Sequence, residues 1–448
     1  MSVQTASHGW KRSPLSKSLG VFGIGFLVIG GLVMAIGATL DIKHFWHAYL
    51  VMFMFLLSLS LGALFYLALE YLVGAYWSVP IRRVTEGIAG LLVPVAFLAI
   101  PIFMGGMDHL YSHWIPHHAH HAEAHDHHDE AHGHKHAENE EHSHSKKDKY
   151  SEKSKDKAHN EGSYGGHGGH HEPDPIVEGK RPFLSKSWFY VLNIGCLLIW
   201  IMFLWWFRSN SRAQDIDGDQ KYTQRNVLVS APFMLVFAGT LTIAAIYYMM
   251  SLEPHWFSTM FGIYYFAGTL VSAASIMTIL VIKLHQGGFL HGHMKKDTYY
   301  SLGLMMFAFN VFWAYIAFSQ FMLIWYANLY EETMWFLHRY EGGWATASWL
   351  LILFHFVIPF FALLSRNQKT NPKRLLLMAY WLLAAHIFDL YWVIVPAYPE
   401  TSFQWYDLGF LMFAAGFVMF FFNNELKGAN LVPIKDPKLE HGLEFRIH

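Results

Sequence analysis

The segment LLAAHIFDLYWVIVP, residues 382 to 396, places His386 and Asp389 three positions apart in an otherwise apolar run. On a helix that spacing sets both side chains on one face. An ionisable group at mid-bilayer costs roughly 2.5–3.5 kcal/mol on insertion scales, so such a pair must face protein or water and be joined to a partner. The chemistry open to it is proton exchange, because imidazole titrates near neutral pH and a buried carboxyl can stay protonated and donate a hydrogen bond. Two further ionisable residues stand in apolar runs, His355 in LLILFHFVIPFF and Glu70 in LFYLALEYLVGAYW, with Tyr66 one turn before Glu70 on the same face. In YWSVPIRRVTEGIAGLLVP, Glu86 follows Arg82 and Arg83; an acid suits the first turn of a helix, and an arginine can pair with it. That turn reads either as a capped, positively anchored corner or as an entrance where charge meets Glu70. The candidate proton path is therefore His386, Asp389, His355, Glu70, Tyr66 and Glu86, spread over outer, middle and inner depths. Each residue taken singly is equally well explained as a polar packing group that satisfies a neighbour.

The elements that must position these residues follow from composition. Of 448 residues, 54% are hydrophobic, 17% aromatic and 15% charged, which marks an integral membrane chain. A window of about 19–20 residues, the length that crosses the hydrocarbon core, predicts ten spans, at 18–40, 45–75, 86–104, 187–207, 226–250, 257–284, 299–326, 345–364, 374–396 and 405–423. The fold class is all-α and polytopic, with the first span a retained anchor because it is too long for a signal-peptide core. Lys and Arg gather on the N-terminal side, including Lys11, Arg12, Arg82, Arg83, Arg208 and Arg374, and the opposite short loops hold only Lys43 and Arg339. By the positive-inside rule both termini are cytoplasmic. The near-neutral balance offers no basic surface for nucleic acid, and the single Cys196 excludes an intrachain disulfide, a CxxC zinc site and an iron–sulfur cluster.

Residues 117–171 break the pattern with sixteen of the thirty histidines and almost nothing apolar. This tract cannot bury enough surface to fold and is expected to be a disordered external insertion. Imidazole-rich tracts bind transition metals, so a metal transporter is one reading, and a variable solvated loop is the other. A transporter needs ligands converging at mid-depth on adjacent helices, and His355, the His386–Asp389 pair and Glu70 read as isolated, so no metal or cofactor ligand set is expected in the chain. A haem clamped between His355 and His386 is a further reading, though no second histidine pair exists. The organisation expected is 1–116 with three spans, 117–186 as insertion and linker, 187–423 with seven spans, and 424–448 as a cytoplasmic tail.

Four stretches in order, WSVPIRRVTEG, EPHWFSTMFGIYYFAG, the 307–336 run FAFNVFWAYIAFSQFMLIWYANLYEETMWF and AAHIFDLYWVIVP, resemble the F-type membrane subunit of bacterial alternative complex III, a quinol to cytochrome c or copper-protein oxidoreductase. The likeness spans nearly all of the chain except the histidine-rich insertion. It implies a bacterial inner-membrane protein similar to polysulfide-reductase membrane subunits, built from two four-helix bundles plus peripheral helices. It implies no redox centre in this chain: haem c and iron–sulfur clusters would belong to external cytochrome and iron–sulfur partner subunits. Menaquinol or another quinol would be the substrate of the complex, bound chiefly at a related C-type membrane subunit, with lipids and quinone as further partners. The F-type subunit would contribute a proton pathway, a role that falls here to His386, Asp389, His355 and Glu70. The 307–336 run also has its own reading, as an aromatic interface belt or as a flat slot for a quinone ring edged by Asn310, Tyr315, Ser319 and Gln320. A purely structural scaffold remains the alternative.

Overall fold

The computed structural model describes residues 10–11, 13–115, 175–398, 402–428 and 430–446; the histidine-rich tract and the expectations about it lie outside them. Among the described residues, ten helices are long and apolar enough to cross a membrane: α1 (Pro14–Leu40), α2 (Ile42–Val73), α3 (Val79–Leu110), α4 (Lys186–Asp217), α5 (Lys221–Leu252), α6 (Phe261–Gln286), α7 (Lys296–Ala327), α8 (Gly343–Leu364), α9 (Pro372–Ala397) and α10 (Asp407–Lys427). The described residues contain no strand, and the chain is an all-α, multi-pass membrane protein.

The ends of these helices depart from the apolar runs for physical reasons. Asp41 caps α2 by accepting from the Lys43 and His44 amides, which starts that helix at Ile42. The start of α3 at Val79 is earlier than the expected 86, because Pro80 opens a 3₁₀ turn and Arg82 and Arg83 are buried against partners instead of lying in a loop. Past its apolar run α4 continues as RSNSRAQDID, a polar extension that buries Ser211 and Gln214.

Contacts divide the helices into a ring of α2, α3, α4 and α5, a second ring of α6, α7, α8 and α9, and a peripheral pair, α1 with α10. The rings meet along α2 and α6, whose most apolar windows are 94% and 89% buried, against 17% for α1. A helix apolar on all sides belongs in the interior of a bundle. Small residues set the closest crossings. Gly23, Gly30 and Gly37 recur every seven residues along α1; Gly23 and Gly30 face Gly416 and Gly409 of α10, and Gly37 faces the Tyr406 ring; a Cβ on Gly30 would stand 2.6 Å from the Phe413 amide nitrogen. Between α2 and α6, Gly62 plays the same part against Thr269 and Ala273.

Residues 430–446 do not hang free as a tail. Leu431 and Val432 are buried, and Asp215 of α4 accepts from the Ile434 amide at 3.2 Å and from Asn430 at 3.4 Å. The segment thereby closes over the end of the bundle where α1 begins and α10 finishes, an end marked by Ser16 donating to Asn423 at 2.8 Å.

Candidate functional site

Histidine 355 sits in a six-residue π-helical segment, Ile352–Val357. Pro359 follows four residues after it, has no N–H for the His355 carbonyl and crowds it, which accounts for the wider turn there. The segment turns His355 inward toward α9, where His386 and Asp389 share a face. One ligand atom of each, an imidazole nitrogen or a carboxylate oxygen, lies within 4.8 Å of the other two. Their exposures are 0%, 1% and 2%, so the group is sealed from lipid.

Three more helices complete the shell. Tyr264 of α6 donates its hydroxyl to one Asp389 oxygen, and Trp313 Nε1 of α7 donates to the other at 3.1 Å. The Trp313 ring stacks on His355 with centroids 3.7 Å apart. Ser58 Oγ of α2 lies 3.1 Å from His386 Nε2 and 3.3 Å from Ser272 Oγ of α6. The Ser58 hydroxyl proton is committed to the Phe55 carbonyl at 2.7 Å, so Ser58 accepts from His386 Nε2–H and the lone pair of His386 is left on Nδ1. Nδ1 of His386 and both nitrogens of His355 have no hydrogen-bond partner among the described residues. Gly268 makes the fit possible, since a Cβ there would meet His386 Cε1 at 2.7 Å and Nδ1 at 2.9 Å.

The expectation of scattered, isolated ligands is therefore corrected: His355, His386 and Asp389 form one site instead of occupying separate depths. The reason is the π segment and the α8–α9 packing, neither of which shows in a spacing pattern. Sequence reading missed Tyr264, Trp313, Ser58 and Gly268, although Tyr264 and Trp313 carry the one available signal, a polar-tipped aromatic in mid-span.

Glu70, Tyr66 and Glu86 lie elsewhere. From Ser58 to Glu70 is twelve residues along α2, or about 18 Å at the helical rise. Glu70 accepts from Arg82 Nε at 2.5 Å, and Arg82 also pairs with Asp436 and lies over the Tyr71 ring. Glu86 pairs with Arg83, not Arg82, at 2.6 Å, and takes the Ser211 hydroxyl at 2.5 Å, while Arg83 also reaches Asp215 at 2.5 Å. Tyr66 turns from Glu70 and donates to the Leu270 carbonyl at 3.0 Å. Between the trio and this charge network the buried hydroxyls Ser60, Ser275 and Thr278 each donate to their own helix backbone. The 307–336 run forms no single slot either: Asn310 is buried, Tyr315 is 64% exposed, and Gln320 accepts from Ser258 at 3.1 Å.

At the opposite end of the bundle, a cavity of about 970 Å³ opens between α2, α8, α9 and α10. Its wall is mostly apolar, with Val51, Met52, Phe55 and Phe388, and polar groups enter from His338, Tyr391 and Asp407. Asp407 accepts from Tyr391 at 3.1 Å and lies 2.7 Å from His44 Nε2. Phe55 lines this cavity with its ring centroid 6.1 Å from that of His386, so one aromatic ring separates the cavity from the trio.

Nearby, Arg339 is fully buried, stacks over Trp335 at 3.5 Å, and donates to Glu253 at 3.1 Å and to the carbonyls of Trp335, Trp392 and Val393. Burial pushes the Glu253 carboxyl up, but Arg339 and His338 outweigh it and hold it below its ordinary 4.5, while the bond to Glu253 raises His338 above its ordinary 6.5. A raised imidazole contributes stability in full below 6.5 and loses it as pH rises through the raised value; a lowered carboxyl contributes in full above 4.5 and loses it as pH falls through the lowered one. The His338–Glu253 pair is thus at full strength between those two ordinary values. Titration of the His338 ring by NMR should give a midpoint above that of the same ring in Glu253→Gln; equal midpoints would show that the pair does not form.

No protein-family model matches the chain, and no curated protein matches it.

Proposed function

We propose that the chain is a proton-conducting membrane subunit of a quinol-oxidising respiratory assembly of the alternative complex III type, in a bacterial inner membrane with both termini cytoplasmic. The observation that carries this reading is the convergence of two imidazoles and a carboxyl at one buried point with unpartnered ring nitrogens. Titratable groups are retained inside a membrane protein where they do work, and grouping them allows a proton to pass by small movements. In this reading Asp389, its oxygens held by Tyr264 and Trp313, passes a proton to an imidazole lone pair of the cluster, the imidazole releases it toward the cavity beyond Phe55, and the carboxylate takes its next proton from the cytoplasmic side. The cavity beside Phe55 supplies the route to the outer side and a place for the ring of a quinone. The resemblance of the four stretches supports redox-active partner subunits, since this chain offers no iron–sulfur or covalent haem ligand set.

The test uses the whole assembly in sealed vesicles. Asp389→Asn and His386→Gln, in assemblies with all subunits retained, are expected to lower proton movement per vesicle by about 10²-fold, the lower range for losing a positioned acid or base. Unchanged turnover and unchanged proton movement in both variants would sink the reading and favour a scaffold.

A further inference from the structure

We propose that His355, His386 and Asp389 bind one divalent transition-metal ion of the zinc class. The ligand set is two imidazoles and one carboxylate, which suits zinc, cobalt, manganese or ferrous iron with one or more positions left for water. Bonds of about 2.0–2.2 Å around such an ion place ligand atoms about 3.3 Å apart. The three atoms already lie within 4.8 Å of one another, so side-chain rotations of about 1 Å close the site.

Two features beyond the trio itself point to a ligand. His355 is 0% exposed and has neither ring nitrogen bonded, and His386 keeps Nδ1 unbonded. An imidazole buried without a partner forgoes a hydrogen bond, and a metal ion is one ligand able to take its bare lone pair. The supporting contacts are also those of a metal site. His386 donates Nε2–H to Ser58, which fixes the tautomer with its lone pair on Nδ1. Tyr264 and Trp313 hold the two Asp389 oxygens in place. Entry is through the cavity on the far side of Phe55.

A metal ion held here is a role beyond proton conduction. An ion on these lone pairs would displace the proton, so metal and proton compete for the site. The measurement uses the unaltered assembly, loaded with Zn²⁺ or Co²⁺ and then washed with chelator to remove ions held by the histidines of the 117–171 tract. The expected result is one retained ion per chain by mass spectrometry of metals, a density peak between His355, His386 and Asp389, and visible cobalt absorption of a low-coordinate site. His355→Leu and Asp389→Asn should each weaken retention by at least about tenfold, and Trp313→Phe, which keeps the stacked ring and removes Nε1–H, by about tenfold. No retained ion, a density peak only outside the trio, or equal retention in wild type and both ligand variants would overturn the site. The two proposals fail separately. A zinc peak with proton movement intact in Asp389→Asn leaves the metal site standing and removes proton conduction, and the reverse result does the opposite.

Discussion

Arg82→Leu is expected to lower the stability of the chain by about 3–5 kcal/mol, the cost of leaving buried charges without their partner. Arg82 is 1% exposed and is shared between Glu70 of α2 and Asp436 of the C-terminal segment. Removing the guanidinium strands two carboxylates in a region where Arg83, Glu86 and Asp215 already satisfy one another. It also releases the link that holds residues 430–446 over the end of α2. The unfolding midpoint of the purified protein should therefore drop sharply, and protease should cut the C-terminal segment sooner. Adding Glu70→Gln and Asp436→Asn to Arg82→Leu should recover a large part of the loss, because neutral amides need no counter-charge. Equal midpoints for wild type and Arg82→Leu would show that the triad is not formed. The same geometry bears on function, since Glu70 is held by Arg82 and the buried trio lies about 18 Å farther along the helix.

What the sequence made legible was governed by local rules. Ten spans could be counted because hydrocarbon thickness fixes helix length, and the His386–Asp389 pair could be placed on one face because helical spacing fixes it. Helix ends were less legible: Arg82 and Arg83 look like loop residues until their partners Asp436 and Asp215 are known, and these lie 354 and 132 positions away. For the same reason spacing alone could not say which of the two arginines holds Glu86; it is Arg83. His355 illustrates the limit at the site. Its place beside His386 depends on the π segment before Pro359 and on how α8 meets α9, and no periodicity encodes an inter-helix distance. Gly268 and Ser58 were invisible as site residues because a missing Cβ and a single hydroxyl acquire a role only once a particular imidazole is packed against them.

The crossing of α2 and α6 turns that dependence on packing into the second large expected effect. A Cβ on Gly62 would stand 2.5 Å from the Thr269 carbonyl oxygen and 2.5 Å from Ala273 Cβ, closer than real side chains approach. One of these obstacles is backbone, so no rotamer change can relieve it and the helices must part. Gly62→Val is therefore expected to cost at least about 1–3 kcal/mol from overpacking. The effect should reach the site, because Ser58 lies one turn before Gly62 and Ser272 lies next to Ala273, and both belong to the hydrogen-bonded chain ending on His386. A displacement of about 1 Å there is enough to lower a positioned reaction by about 10²-fold, and the ligand atoms of the metal trio would lose their support in the same movement. Gly25→Ala on α1 is the matched control, since nothing lies within 4 Å of its Cβ position and a helix gains slightly from alanine. The contrast to measure is the unfolding midpoint together with proton movement and chelator-resistant zinc. If Gly62→Val matched Gly25→Ala in all three, the two rings would not meet as closely as described and Ser58 would have no part in setting His386.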